Sequence, residues 1–332
     1  MKRTLLPLAC AIALCTACRK DLCYTHDRHS PSVKVEAHAS WECEWERPYD
    51  HDWATEWPAH WTDTYDRLRP EPATGIRVNV YRNGRNQAEG NIAATGGRLP
   101  LAEGTSDILF YNNDTEYIVF AGLTASASAT ATTRTVSRGG FVAPHADERT
   151  MNQPDNLYGH YEAAYEAGRT LEPVALPVEM HPLVYTYLVR YEFDRGLQHV
   201  ALARGALAGM AESVYLEDGH TADDAATILY DCTVTDYGAE AKVKTFGVPN
   251  YPGDHYTRAD AHFTLNLEVR LKNGNYKTLE FDITDQLIGQ PRGGVIVVSG
   301  IEIKDEEAEG GDGAFDTEVE DWGDYIDIPL PL

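Results

Sequence analysis

Along most of the chain, apolar and polar residues alternate with a period of two. From Ser32 to Trp45, one face of this pattern is apolar or small, and the other carries Lys34, Glu36 and further glutamates. Because successive side chains of a strand point to opposite faces, the alternation predicts a half-buried β-strand. The apolar face comprises Val33, Val35, Ala37, Ala39, Trp41, Cys43 and Trp45.

Asn-Gly turns separate several alternating runs. Asn83-Gly84 follows the run that begins at Gly75, and Asn273-Gly274 lies between the runs 263–271 and 276–283. Both dipeptides indicate β-hairpins. Further strands are predicted at 98–102, 107–112, 116–121, 183–193, 200–202, 213–216, 227–233, 295–303, 315–319 and 325–330.

Three segments depart from this pattern. Residues 124–137 alternate small and hydroxyl residues, which fits a linker, but their threonine content favours an edge or sheet-surface strand. Residues 161–168 are the segment in which a short helix is expected. Residues 305–313 are acidic and glycine-rich and predict a loop.

Many short strands between turn signals are typical of an all-β protein built from sandwiches. The chain has 332 residues, which allows two domains of about 100–200 residues each. Prolines at 173, 177 and 182 punctuate the segment 171–182 and mark a domain boundary there. We therefore expect two tandem β-sandwich domains, at 32–172 and 173–332.

The first eighteen residues are organised like an export signal. A basic start is followed by an apolar run up to residue 17, and small residues precede Cys18. This pattern resembles a lipoprotein signal, in which 1–17 are removed and Cys18 carries the lipid. Cys15 departs from it, because an aliphatic residue is usual three positions before the cysteine. An ordinary secreted protein and an anchored helix are the alternatives, although a span requires roughly 20 residues. Residues 18–31 then form a polar tether.

Net charge and cysteine content limit the possible binding partners and disulfides. The formal net charge is -24, and such a field repels the phosphates of nucleic acids. Nucleic acid is therefore excluded as a partner, and any membrane contact is expected through the lipid on Cys18. Apart from the signal and Cys18, the chain retains Cys23, Cys43 and Cys232. An exported protein can form disulfides, but the pairing among these three stays open.

Tryptophans are concentrated in one part of the sequence. Trp53, Trp57 and Trp61 recur every four residues, although Pro58 interrupts any helix that would align them. Such a group can form an aromatic platform that stacks on sugar rings. The alternative is a satellite hydrophobic cluster that packs a long loop onto the first sheet.

Familiar catalytic patterns are absent from the sequence. It contains no G-x-S-x-G, H-E-x-x-H or phosphate-binding loop, and the acidic segment 305–312 does not follow the ligand spacing of an EF-hand. We therefore expect a protein that is not an enzyme and that has neither a cofactor nor a metal site.

Several stretches together resemble an uncharacterised lipoprotein family of the fimbrillin-like superfamily, whose relatives include minor-fimbrium and fimbrillin anchor proteins. The resemblance covers nearly all of the mature chain. The stretches that carry it are Cys18 to Cys23 (CRKDLC), Trp41 to Trp45, 109–113 (LFYNN), 115–120 (TEYIVF), 205–216 (GALAGMAESVYL) and the closing segment 313–332 with Trp322.

The resemblance implies two transthyretin-like β-sandwiches after a lipoprotein signal, an outer-membrane palmitate-type anchor, and a position facing the cell surface. It also implies a role in fimbria anchoring, assembly or adhesion, with fimbrial subunits joined by strand addition. The segment 325–332 is then either a strand that moves between subunits or an ordinary last strand of the second sandwich. Glycan binding through Trp53, Trp57 and Trp61 is the alternative function.

Overall fold

The computed structural model describes residues 30–43, 70–136, 145–253 and 261–309, together with the backbone of 327–328. Within these ranges the chain is nearly all β, as the sequence predicts. The strands in chain order are β1 (Ser32–Val33), β2 (Val35–Trp41), β3 (Gly75–Arg82), β4 (Arg85–Ala93), β5 (Gly96–Arg98), β6 (Gly104–Asn112), β7 (Ile118–Ala121), β8 (Thr130–Thr133), β9 (Thr135–Val136), β10 (Arg149–Met151), β11 (Tyr158–Ala167), β12 (Arg169–Thr170), β13 (Val174–Pro182), β14 (Tyr185–Arg195), β15 (Val200–Ala211), β16 (Ser213–Tyr215), β17 (Ala225–Val234), β18 (Gly238–Thr245), β19 (Thr264–Leu271), β20 (Tyr276–Asp282), β21 (Gly294–Glu302) and β22 (Asp327–Ile328). The described helices are α1 (Thr284–Ile288) and α2 (Asp305–Ala308), with 3-10 turns at Ser126–Ser128 and Leu197–His199.

The first part of the chain closes into a seven-stranded barrel in the order β11-β13-β2-β5-β4-β3-β6. Neighbouring strands run antiparallel, except that β13 and β2 are parallel. Alternate residues of β3 and β6 point inward, because the period-two pattern places their branched and aromatic side chains on one face. The buried interior contains Val35, Ala37, Ile76, Val78, Val80, Leu99, Ile108, Phe110, Tyr158, Leu176, Val178 and Met180.

The second part is a ten-stranded sheet that folds over itself. One portion runs in the order β20-β19-β15-β17-β10-β9-β22, and β17 also pairs with β18, which leads to β14 and β21. Side chains of the two portions share one core, in which the hydroxyls of Tyr191 and Tyr230 are 2.7 Å apart. Gly205 makes room for this pair, since a Cβ at that position would lie 2.3 Å from the Tyr230 ring.

A partly buried carboxylate fastens β10 to this sheet. Glu148 accepts hydrogen bonds from the Gly209 amide (3.1 Å) and the Thr227 hydroxyl (2.7 Å), and it lies 2.6 Å from the His145 ring. The other nitrogen of that ring is 3.0 Å from the Thr264 hydroxyl. These contacts satisfy a charge that would be costly to bury alone. As a result, 145–151 is tied to β15, β17 and β19.

A third cluster packs the barrel against the second sheet. Tyr81, Leu109 and Tyr111 contribute from the outer face of the barrel, and Ala211 and Phe246 contribute from the second sheet. The small sheet β16-β8-β7 lies in the same cluster through Ala131 and Val214.

The chain crosses between the two parts more than once. After the barrel strand β6, β9 and β10 join the second sheet, and the chain then returns to the barrel as β11 and β13. The segment 171–182, which the sequence marks as a boundary, therefore supplies β13 to the barrel. The division into domains at 32–172 and 173–332 stays a prediction.

Two local predictions are wrong. The helix expected at 161–168 is part of β11, where pairing with β6 overrides the helix-forming residues and a bulge places Ala164 at a φ of 52°. Residues 130–133 form the strand β8, as the threonine content predicts, and β8 lies at the centre of its small sheet, where Ala131 and Thr133 are fully buried. The predicted strand 98–102 is instead the short β5, which ends at Arg98.

The acidic segment beginning at Asp305 is helical at 305–308 rather than a loop throughout. Glu307 explains the difference, since its carboxylate accepts hydrogen bonds from the Lys277 ammonium (2.8 Å) and the Lys304 amide (2.8 Å). These bonds lower the pKa of Glu307, and acidic residues are favourable in the first turn of a helix.

The free edge of β21 is covered by two glutamine side chains. The carboxamide of Gln286 donates to the Val297 carbonyl (3.0 Å) and accepts from the Val297 amide (3.0 Å). Gln290 does the same at Val295, with distances of 3.1 Å and 2.7 Å. Each carboxamide thus makes the two hydrogen bonds that a residue of a neighbouring strand would make. The segment of α1 and the two residues after it therefore covers this edge without forming a strand.

We expect Gln290→Ala to lower the free energy of unfolding by about 1–3 kcal/mol, because it leaves the buried amide and carbonyl of Val295 without partners. Urea unfolding followed by circular dichroism measures the loss. Gln198→Ala, at an exposed glutamine, is the matched control and should change stability by less than about 0.5 kcal/mol. Equal unfolding midpoints for the two variants would show that the carboxamide does not stabilise the edge.

Candidate surfaces for adhesion and assembly

The barrel closes through a short seam between β11 and β13. The two strands are in register at Tyr158 with Pro182 and at Gly159 with His181. The Val174 amide donates to the Lys34 carbonyl, so alternate residues from Val174 onward direct their amides to β2.

The alternate residues of β13 that do not direct their amides to β2 present their backbone to the seam. Pro177 is one of these residues. Its missing N–H therefore falls on the unpaired side of β13, where proline is tolerated. Across the seam, the bulge between Glu162 and Tyr165 interrupts β11, and the His160 ring donates to the Glu179 carbonyl at 3.0 Å. Proline and bulges are devices that discourage further strand pairing, so the seam is a blocked edge, as is the glutamine-covered edge of β21.

The two ends of the large sheet differ from these blocked edges. At one end, β22 pairs with β9 through Asp327 with Val136 and Ile328 with Thr135. At the other end lies β20, which pairs with β19 on one side. In the described part of the C-terminal segment, β22 is thus an edge strand, and both of its described residues pair with β9.

A cleft of about 620 Å³ opens where the seam closes, next to the second sheet. Its walls include His160 and His181, whose rings stack with centroids 6.3 Å apart. His181 lies 2.7 Å from the Glu42 carboxylate. Burial lowers the pKa of His160, although the Glu179 carbonyl opposes the shift.

Tyr185 and Arg292 also line the cleft. The Tyr185 hydroxyl donates to the Pro182 carbonyl at 2.7 Å, and the Arg292 guanidinium lies over the rings of Tyr185 (5.4 Å) and Tyr251 (4.3 Å). Burial raises the pKa of Tyr185 to about 12, so this phenol is a neutral donor at physiological pH. Aromatic faces beside carboxylates and imidazoles suit a ligand rich in hydroxyl groups.

The site residues that the sequence predicts lie outside the described residues. These are the lipidation site Cys18 and the tryptophans Trp53, Trp57 and Trp61. Cys43 and Cys232 are free thiols, and burial raises the pKa of Cys232. Within the described ranges, no group of three or more His, Cys, Asp or Glu side chains is arranged to hold a metal.

Sequence reasoning did not find the cleft or the glutamine cap. The cleft combines residues as distant as Glu42, His160 and Arg292, and no local pattern joins them. The cap did leave a signal, because Gln286 and Gln290 are four residues apart just before an apolar strand. No helix in the described part of the chain combines the length and the apolar character needed to cross a membrane.

Solved structures share this fold. The chain is similar to a candidate adhesin from Bacteroides ovatus, with a TM-score of 0.57 and 17% identity over 84% of this chain and 95% of that one. It is also similar to the fimbrial anchor protein Mfa2 from Porphyromonas gingivalis, with a TM-score of 0.47 and 10% identity over 80% and 90% of the two chains. A fimbrilin from the same organism has a TM-score of 0.42 and 9% identity over 77% and 81%.

The predicted resemblance is to the fold of these proteins: at 17% identity, the match to the candidate adhesin shows a shared fold and no more. No curated protein matches the sequence. A family model described as a domain of unknown function, DUF5119, matches residues 60–231. Because this match spans more than half of the 332 residues, the chain belongs to the DUF5119 family.

Proposed function

We propose that this protein is a non-catalytic lipoprotein of the outer membrane, facing the cell surface, which acts in fimbria anchoring or assembly, or in adhesion. The observation that carries the proposal is the state of the sheet edges. The seam and the edge of β21 are blocked, whereas the C-terminal segment forms an edge strand, whose described residues pair with β9 at two positions. A strand at the edge of a sheet can exchange with a strand of a partner subunit.

The likeness of fold to a candidate adhesin supports the same proposal. In it, the barrel and the folded second sheet correspond to the two transthyretin-like domains that the resemblance implies, and Cys18 carries the lipid. The acidic character of the chain, with a formal net charge of -24, keeps such a surface protein soluble.

We expect Cys18→Ala to abolish fatty-acid labelling and to release the protein from the membrane fraction, because the thiol that accepts the lipid is gone. Metabolic labelling with a palmitate analogue, followed by fractionation, measures both effects. Cys23→Ala is the matched control and should keep the label. Undiminished labelling of the Cys18→Ala protein would rule out this anchor.

The exchange of the C-terminal strand is tested by Ile328→Pro, which removes one backbone amide from the pairing with β9. We expect the yield of crosslinked fimbrial subunits from intact cells to fall several-fold, with the surface level of the protein unchanged. Leu332→Pro, four positions further along the chain, is the control and should leave the yield intact. Equal yields from both variants would mean that β22 is an ordinary last strand.

Glycan binding is a second proposed function, and the cleft favours it. A volume of about 620 Å³ suits a small saccharide, and the walls offer aromatic faces beside polar groups. The tryptophans Trp53, Trp57 and Trp61 supply the other proposed surface for sugar rings.

We expect His181→Ala to weaken binding of a cell-surface oligosaccharide by about tenfold (~1.4 kcal/mol), because the ring lies in the cleft wall. Calorimetric titration across an oligosaccharide panel measures the affinity. His199→Ala, at a histidine outside the cleft, should retain it. If Trp57→Ala rather than His181→Ala removes binding, the sugar stacks on the tryptophans instead.

A further inference from the structure

One end of the barrel lies away from the cleft. At this end β3 turns into β4, β6 and β13 begin, and β11 ends. The described chain also enters the barrel here, at Ser32. We name this end the distal rim and define it as residues 32–35, 82–85, 98–104 and 166–174.

The distal rim has a charge balance opposite to that of the whole chain. Basic side chains outnumber acidic ones on it by five to three, whereas the chain carries a net charge of -24. The basic residues are Lys34, Arg82, Arg85, Arg98 and Arg169, and the acidic ones are Glu103, Glu166 and Glu172.

Ion pairing within the rim removes one basic and one acidic charge alike, and it leaves four basic residues against two acidic ones. Arg169 lies 2.8 Å from the Glu103 carboxylate, and Arg82 donates to the carbonyls of Ala102 and Glu103. The side chains of Arg85 and Arg98 are exposed. An anion that approaches the rim therefore meets a locally cationic surface on an otherwise acidic protein.

Exposed apolar side chains lie on the same end. Leu171 is 53% exposed and Val174 is 41% exposed. Val234 and Tyr276 have comparable exposure, but both belong to the second sheet, in β17 and β20. Apolar tips ringed by basic residues are the combination that binds the interface of an anionic bilayer, where apolar groups enter the headgroup layer and cations meet phosphates.

The position of the proposed anchor brings the rim to the membrane. Thirteen residues separate Cys18 from Ser32, so the rim lies within about 50 Å of the lipid even if that segment is fully extended. The opposite end of the barrel, which carries the cleft, points away from Ser32.

We propose that the distal rim rests on the anionic phospholipid surface into which the chain is anchored, with Leu171 and Val174 entering the headgroup layer. This inference builds on the proposed lipid at Cys18. It assigns the rim to the membrane side and leaves the cleft and the C-terminal edge strand facing outward.

The test measures the labelling rate of a cysteine placed on the rim. Leu171→Cys in the full lipidated chain is reacted with a membrane-impermeant charged maleimide, on vesicles of phosphatidylethanolamine and phosphatidylglycerol and again in solution as the Cys18→Ala form. We expect labelling at 171 to slow at least fivefold on vesicles, while Tyr276→Cys labels at the same rate in both. The parent chain gives the background from Cys23, Cys43 and Cys232.

Charge variants identify the cause of the protection. Arg85→Gln with Arg98→Gln should restore most of the labelling rate at 171, whereas Arg195→Gln, at an exposed arginine of the second sheet, should not. Phosphatidylcholine vesicles should also give weak protection. Equal rates at 171 on anionic vesicles and in solution would overturn the proposal, and protection seen in native membranes but absent on vesicles would assign the rim to a protein instead.

The experiment distinguishes an incorrect assignment of the lipid anchor from an incorrect assignment of the distal rim to the membrane. If the chain does not float with vesicles, Cys18 is not lipidated and the proposed anchor is wrong. A hexahistidine segment in place of residues 1–17, bound to nickel-chelating lipids in anionic vesicles, then holds the Cys18→Ala chain at the membrane. The labelling rate at 171 in that form tests the membrane contact of the distal rim independently of the lipid on Cys18.

Discussion

A strand at the edge of a sheet exposes backbone N–H and C=O groups that will pair with any suitable chain, and this structure depends on how each edge meets that constraint. The first sheet nearly removes its edges by closing into a barrel. At its seam, Pro177 lacks the donor that another strand would use. At β21, Gln286 and Gln290 supply a substitute ladder from side chains alone. The edge formed by the C-terminal segment lacks comparable protection among the described residues.

The barrel and the second sheet are joined by more than a linker. The chain contributes β9 and β10 to the second sheet before the barrel is complete, and the partly buried Glu148, together with His145, ties this segment to three strands. A shared cluster that includes Tyr111 and Phe246 fills the space between the two parts. The cleft contains residues from the barrel and from the second sheet, so its shape depends on how these two parts pack together.

Much of this fold was accessible from the sequence, because period-two alternation and Asn-Gly turns are local signals. Asn83 and Gly84 adopt the left-handed conformations that such a turn needs, at φ of 53° and 72°. Local signals failed where partners distant in sequence decide the outcome. The glutamate and alanine residues of 161–168 favour a helix, but β6 holds them in a strand. That Pro177 lies in a barrel strand could not be predicted either, because the unpaired side of its strand cannot be read from one segment.

The candidate surfaces were less accessible than the fold. The cleft depends on which strand ends meet, and neither His160 nor His181 has a neighbour in sequence that marks it as part of a site. The glutamine cap was closer to being predictable, since its two residues share one face of a helical turn. Recognising it required knowledge that β21 has no strand on that side.

The parallel pairing of β2 with β13 has a mechanical consequence. Seven residue pairs join the two strands; β2 begins at the end where the chain enters, and β13 continues at its far end into the second sheet. A pull between the start of the barrel and the second sheet therefore drags the two strands past each other lengthwise. Their hydrogen bonds therefore bear the load simultaneously, in shear, instead of breaking one after another. The barrel therefore resists tension that is applied along its length.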